Sequence, residues 1–166
     1  MVLGELSALP PGESVFIDSN ILTYHLLHDP LYGTSCKEFI KKVENGEFEG
    51  IISPLVVSET LYNLIKATIL KAYHLKPKEL VHFIKANPQA VSNVDLEPAM
   101  ELFNLFSLAP ISEFEVRACY RAIKDYSLLT NDAFHVATMK QRDSNISRRT
   151  ILILSEWLGS RSGSRN

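Results

Sequence analysis

An apolar run that ends in an acid, SVFIDSNILTYHLL, constrains the fold more than any other stretch of the sequence. Val15–Ile17 is a β-forming segment without a polar break, which is typical of a strand covered on both faces. Asp18 then stands at the carboxyl end of the strand, and Ser19 and Asn20 are residue types that cap helices. Apolar residues recur at helical spacing over 21–27, which predicts a helix directly after the strand. Because open α/β sheets bind ligands at this edge, Asp18 is a candidate site residue.

The same alternation of strand and helix patterns continues along the chain. Further strands are predicted at FEGIIS, AVSNV and TILIL, which are residues 48–53, 90–94 and 150–154. Helices are predicted over 35–45, 54–73, 77–86, 97–106, 112–126 and 130–141. Strands that alternate with helices indicate an α/β fold, here a three-layer α/β/α domain with a mostly parallel central sheet.

Length and composition favour one domain that spans residues 1–166, with 46% hydrophobic and 22% charged residues. Within it, residues 1–13 are an N-terminal extension and residues 142–166 an atypical C-terminal tail. The sequence shows neither a basic leader nor an apolar run long enough for a membrane span, so we expect a cytoplasmic protein without a membrane partner. Cys36 and Cys119 are not spaced for a metal site or a disulfide framework, which predicts core thiols.

Charge is distributed unevenly along the chain. Residues 1–115 carry 8 Lys and 15 acids, whereas residues 116–166 carry 9 Lys and Arg with 4 acids. The C-terminal part could therefore attract phosphates, and the alternative is chance clustering on solvated helix faces. The net charge of −2 by itself excludes no class of partner.

Two further acids stand where packing alone would favour other residues. Glu59 lies in the helix pattern PLVVSETLYNLI, whose residues one turn away are largely apolar, and burying an unpaired carboxylate there is costly. Asp132 opens NDAFHVATM, where small and apolar residues indicate a tightly packed helix. Each acid has a structural alternative, because Asp18 could be a helix cap and Asp132 a first-turn acid favoured by the helix dipole. Glu59 could reach solvent or pair with Lys66 or Arg117.

Taken together, the three acids predict a metal site. Two helix starts and one helix flank that face the carboxyl edge of a parallel sheet would bring Asp18, Glu59 and Asp132 close together. Carboxylates in such proximity repel, and their pKa values rise unless a cation neutralises them. Oxygen ligands without a Cys or His companion suit Mg²⁺ or Mn²⁺. His135, one turn after Asp132, could face this site, although a half-buried helix histidine is more often structural.

Three segments, VFIDSNILTYHLL, ISPLVVSETLYNL and LLTNDAFHVATM, resemble in order and spacing the PIN-domain nucleases, and among these the VapC-type toxins of toxin–antitoxin pairs. The family pattern is a strand that ends in Asp followed by a small residue and Asn, a helix that bears a Glu, and a helix of the form xDAxHxAxA. The resemblance covers residues 14–141, which is most of the chain.

The resemblance implies an endoribonuclease that hydrolyses RNA phosphodiester bonds with acid-bound Mg²⁺ or Mn²⁺. Asp18, Glu59 and Asp132 carry over as the catalytic, metal-binding acids, and Ser19 and Asn20 as supporting residues. Asn20 either donates a hydrogen bond at the site or fixes the turn from strand to helix. The family further leads us to expect RNA as substrate, a small antitoxin protein as partner, and a homodimer.

The C-terminal end departs from the family pattern, which usually has a fourth acid after the last core strand in a segment like TxDxDF. This sequence reads TILILSEWLGSRSGSRN there, and Glu156 is the acid that could substitute as a metal ligand. Of the 7 Arg in the chain, 5 fall between Arg142 and Arg165. Codons allowed for RTILILSEWLG can spell KDYSNFERVA in the adjacent frame, which resembles the missing ending. A changed reading frame in the tail is therefore a hypothesis.

Two other functions stay open on the sequence alone. One is a housekeeping PIN nuclease that processes ribosomal RNA. The other is a PIN-fold module that binds RNA or protein with impaired catalysis, which the missing fourth acid favours. A nucleotide-binding protein is disfavoured, because no glycine-rich loop follows the first strand.

Overall fold

A parallel, four-stranded sheet forms the centre of the protein. The structure is a computed structural model that describes Gly12, residues 14–145 and residues 150–153. The strands are β1 (Ser14–Ile17), β2 (Glu49–Ile52), β3 (Ser107–Leu108) and β4 (Thr150–Ile153). Their order in the sheet is β3-β2-β1-β4, and each neighbouring pair is parallel. The predicted α/β fold with a mostly parallel sheet is therefore confirmed.

Helices connect the strands on both sides of the sheet. Between β1 and β2 lie α1 (Ser19–Leu26) and α2 (Gly33–Glu44). Between β2 and β3 lie α3 (Pro54–Ala72), a 3-10 turn at Pro77–Glu79, α4 (Leu80–Ala86), α5 (Gln89–Ser92) and α6 (Glu97–Phe103). Between β3 and β4 lie α7 (Glu113–Tyr126) and α8 (Thr130–Asn145).

The direction of strand addition reverses at β1, which pairs with β2 on one side and with β4 on the other. Because crossovers between parallel strands are right-handed, α1–α6 cover one face of the sheet and α7 and α8 the other. Side-chain contacts agree: the ring of Phe16 lies 5.6 Å from that of His135 on α8. On the opposite face of the sheet, Ile17 of β1 and Val43 of α2 both pack against Gly50. The carboxyl end of β1 is thus the switch point at which such sheets bind ligands.

The strand β1 is buried along its whole length. Val15 and Ile17 are 0% exposed and Phe16 is 1% exposed, as expected of an apolar run covered on both faces. Each such side chain contributes about 1.5–3 kcal/mol of burial free energy. The predicted core thiols are confirmed, since Cys36 and Cys119 are both buried free thiols. Burial raises the pKa of Cys36 to about 11.

Side-chain caps set the starts of the main helices. Asp18 caps α1, and Ser53 caps α3 with Pro54 in the first turn, where its missing N–H costs nothing. A capping box starts α7, with the hydroxyl of Ser112 and the carboxylate of Glu115 in contact. Local sequence therefore accounts for where the chain leaves the sheet.

The predicted third strand, AVSNV, is wrong: this segment begins in the short helix α5. Ala90 and Val94 are four residues apart and are both buried in a cluster with Ile69 and Leu80, a spacing that fits helical turns. The third strand is instead the residue pair Ser107–Leu108, which directly follows the helix predicted over 97–106 and for which the sequence predicted neither helix nor strand. The final strand, predicted at TILIL, is confirmed as β4.

Among the described residues, no helix is both long enough and apolar enough to cross a membrane. The organisation as one domain over 1–166 stays a prediction. Most of the extension 1–13 and of the tail 142–166 lies outside the described residues.

Gly50 in β2 is expected to tolerate no side chain. A Cβ atom there would lie 2.6 Å from Phe106, 2.9 Å from Val43 and 3.0 Å from Ile17. Gly50→Ala should therefore lower the free energy of unfolding in urea by about 1–3 kcal/mol through overpacking. Ser58→Ala, at an exposed position of α3, is the control and should change it by less than about 0.5 kcal/mol. Equal stabilities of the two variants would contradict the packing described.

Candidate active site

A polar pocket of about 370 Å³ lies at the carboxyl end of β1. Its wall comes from the start of α1, the middle of α3, and the start of α8 with the residues before it. It is lined by Asp18, Ser19, Asn20, Glu59, Leu129, Thr130, Asn131, Asp132 and His135. The structure thus brings together five of the six predicted site residues, and the sixth, Glu156, lies outside the described residues.

Asp18 is buried where strand turns into helix. Its Oδ1 accepts a hydrogen bond from the backbone N–H of Asn20 at 2.8 Å, so it caps α1 and lines the pocket at once. Burial raises the pKa of Asp18, and the negative charge of Glu59 adds to the rise, while the Asn20 hydrogen bond and His135 oppose it. The cap that sequence reasoning offered as an alternative is therefore present together with the pocket position.

Glu59 reaches the same pocket from α3, with its side chain 22% exposed. The contact with His135 lowers the pKa of Glu59, as do Ser19 and Asn131, against the opposing effect of burial. The side-chain amide of Asn131 donates to Oε1 of Glu59. These partners are the compensation that a carboxylate on an apolar helix flank requires. Arg117, a predicted alternative partner, instead pairs with Glu113.

His135 lines the same pocket as Asp18 and Glu59 and is 2% exposed. Its Nε2 lies 3.7 Å from Oε2 of Glu59, and its ring tilts against Phe16. Its Nδ1 has no hydrogen-bond partner within the described part of the chain. His135 is therefore buried like a structural histidine and yet is part of the pocket wall, a combination that the sequence did not resolve.

Asp132 enters the pocket from the first turn of α8. Ala133 and Ala137 are buried on the same helix and pack against Cys119 and Ala122 of α7, so small residues allow α8 to lie close to its neighbour. Sequence reasoning missed Asn131, although its position directly before Asp132 is a signal that it shares the helix start. The roles of the lining residues in chemistry stay predictions.

The donor atoms at the pocket fit a hydrated divalent cation. Within the described ranges, no three Asp, Glu, His or Cys side chains converge closely enough to hold a metal ion by themselves. The available donors are carboxylate, hydroxyl and amide oxygens, which are the ligands of Mg²⁺ and Mn²⁺. Mg²⁺ usually keeps several waters and is bound through one or two carboxylates with substrate phosphates. An open pocket with carboxylates on its wall suits this mode of binding.

Comparison with known proteins shows the family. The PIN domain model matches residues 15–149, a range that contains Asp18, Glu59 and Asp132. The chain therefore belongs to the PIN domain family. It is also 37% identical over 126 residues to ribonuclease VapC2 of Methanocaldococcus jannaschii, which covers 76% of this chain and 76% of that protein. The predicted resemblance to VapC-type PIN-domain nucleases is confirmed.

The contact between Glu59 and His135 should appear as a coupling energy. In metal-free buffer, Glu59→Ala, His135→Ala and the double variant are expected to give a coupling of about 0.5–3 kcal/mol in urea unfolding, because the contact is largely buried. The matched control is Glu113 with Arg117, an exposed pair whose coupling should stay below about 1 kcal/mol. A coupling energy for Glu59 and His135 that does not exceed that of Glu113 and Arg117 would refute the buried contact.

Proposed function

We propose that the protein is a Mg²⁺- or Mn²⁺-dependent endoribonuclease and the toxin of a toxin–antitoxin pair. The observation that carries the proposal is the meeting of Asp18, Glu59 and Asp132 at one pocket, on the ligand-binding edge of the sheet. Membership of the PIN domain family and the similarity to ribonuclease VapC2 support it.

The pocket gives each acid a distinct place in the proposed chemistry. A bound divalent ion would lower the pKa of a coordinated water and offset charge that develops on the scissile phosphate. Asp18, fixed by its cap hydrogen bond, would be a direct ligand. Asp132 would be a second ligand or would orient the attacking water, and Glu59 would bind directly or through water. Asn131 and His135 hold the Glu59 carboxylate toward the pocket.

Burial of the acids supports a cation-binding role. Asp18 is 6% exposed, and its raised pKa reflects the cost of an ionised carboxylate in that position. A bound cation would offset this cost, so the ionised Asp18 favours cation binding at the pocket. Ser19 and Asn20, at the same helix start, would donate hydrogen bonds to a phosphate or to a metal-bound water.

The biological setting follows from the family and is proposed with it. RNA would be the substrate, and a small antitoxin protein would neutralise the enzyme near the acidic pocket. The protein would be a cytoplasmic homodimer with one domain per chain.

A second candidate is a PIN-fold module that binds RNA or protein without efficient catalysis. The observation that favours it is the tail, where Glu156 is the sole acid between β4 and the end of the sequence. Under this alternative, the pocket would keep its acids but would lack a ligand that the reaction requires.

Cleavage of a mixed RNA substrate tests the nuclease. With Mg²⁺ or Mn²⁺ the protein should cut RNA, and Asp18→Asn and Asp132→Asn should each slow cutting by at least about 100-fold, the scale of losing one key charge-stabilising group. Glu38→Gln, which removes an exposed acid on α2, is the matched control and should cut at the normal rate. EDTA should stop cleavage in all cases.

A melting experiment separates metal binding from catalysis. Mn²⁺ should raise the melting temperature of the unsubstituted protein more than that of Asp18→Asn, because only binding to the folded state stabilises it. Equal shifts would count against Asp18 as a ligand. A folded protein that binds RNA but does not cut it would favour the second candidate.

The coding DNA tests the reading-frame hypothesis for the tail. Codons 140–166 should be compatible with KDYSNFERVA in the adjacent frame, and a protein made in that frame should cleave RNA faster, because it regains an acid after the last strand. A single codon within this stretch that is incompatible with that reading would remove the hypothesis.

A further inference from the structure

The outer face of α7 combines cations with an exposed aromatic ring. Arg117, Tyr120, Arg121 and Lys124 recur at helical spacing and are all exposed, with Tyr120 64% exposed. We call these four residues the α7 face. The opposite side of the helix is buried through Cys119 and Ala122. The α7 face is thus not required for packing of the described domain.

The cations of this region lie beside aromatic rings. The Nζ of Lys124 lies 6.0 Å from the centroid of the Tyr120 ring. A separate pair lies between α8 and the end of α7, where the Nζ of Lys140 lies 4.6 Å from the Tyr126 centroid and 3.1 Å from the Tyr126 hydroxyl. Tyr126 is itself 57% exposed. Tyr120, flanked by cationic side chains, makes the α7 face both cationic and able to stack on planar rings.

Of the three cations of the α7 face, Arg117 is paired with an acid, so the net positive charge of the face comes from Arg121 and Lys124. Glu113 is engaged by Arg117, whose Nε donates to it at 3.1 Å, and Glu115 is buried in the capping box. Asp125 is the exposed acid at the edge of the helix. The contrast with the preceding part of the chain is strong, since residues 1–115 contain no Arg and carry 15 acids against 8 Lys.

The buried side of α7 contacts the wall of the acidic pocket. The Sγ of Cys119, directly before Tyr120, lies 3.8 Å from the backbone oxygen of Thr130, which lines the pocket. Only the thickness of one helix, about 10 Å, separates the outer side of α7 from that wall. A flexible chain molecule held in the pocket could therefore continue over α7.

We propose that the α7 face binds single-stranded RNA on one side of the scissile bond, with Tyr120 stacked on a base and Arg121 and Lys124 on phosphates. The proposal rests on the proposed nuclease function. Single-stranded nucleic acid is bound by cationic surfaces with aromatic side chains that stack on successive bases, which is the composition found here. An acidic pocket repels phosphates, so cations beside it would hold the substrate in place.

Binding of labelled RNA to the Asp18→Asn protein, without divalent metal, tests the proposal while cleavage is blocked. Tyr120→Ala should raise the Kd for an RNA of about 16 nucleotides by about fivefold or more, through loss of one stacked base. The double variant Arg121→Ala/Lys124→Ala should weaken binding and reduce the slope of log Kd against log salt by about 1.4, for two lost phosphate contacts. The α4 control, Lys78→Ala/Lys85→Ala, removes equal charge from exposed positions in the 3-10 turn before α4 and on α4, and should leave the slope unchanged.

Substrate length provides the second measurement. In the metal-activated protein, the α7 variants should raise KM for the long RNA and leave cleavage of an RNA of about 4 nucleotides unchanged. Unaltered Kd and salt slope in the α7 variants, or an equal change in the α4 control, would overturn the proposal. If the protein cuts RNA normally while the α7 variants bind as before, only the α7 face fails. If no RNA is cut but the variants still lose binding, the nuclease fails and the RNA surface stands.

Discussion

The pairing of β1 with a strand on each side is the interaction on which the remaining structure depends. Its register sets Phe16 opposite Ile51 of β2 and Leu152 of β4, so three parallel strands end at one edge. The apolar side chains of β1 are buried on both faces, which supplies the free energy that fixes the strand. Because β1 cannot shift without exposing them, Asp18 is held at a defined place on the ligand-binding edge.

The pocket is an arrangement in which carboxylates are held close at an electrostatic cost. Asp18 combines burial with a cap hydrogen bond, and Glu59 is held by the amide of Asn131 and by His135. The pKa values of the two acids therefore move in opposite directions, up for Asp18 and down for Glu59, because their immediate partners differ. The helix cap and the pocket position are not alternatives here, since the same side chain of Asp18 caps α1 and lines the pocket.

Local sequence was sufficient wherever a local interaction decides the structure. The apolar run before Asp18 and the helix patterns around Glu59 and Asp132 predicted their elements and the three acids of the pocket. Local sequence failed where tertiary packing decides. AVSNV begins in a helix and packs its apolar residues against α3 and α4, and β3 has only two residues. The contact of Asn131 with Glu59 joins residues 72 positions apart, and no local pattern encodes such a partner.

The position of β4 in the sheet has a consequence for how the protein is made. β1 comes first in the described chain and β4 last, yet they are neighbours, and α8, which brings Asp132 to Asp18, immediately precedes β4. In a nascent chain, Asp18 is synthesised long before Asp132. The long loop between them must close before α8 can pack against the sheet. The acids can therefore assemble only after α8 has been synthesised, so a chain that stops before α8 carries no complete acidic pocket.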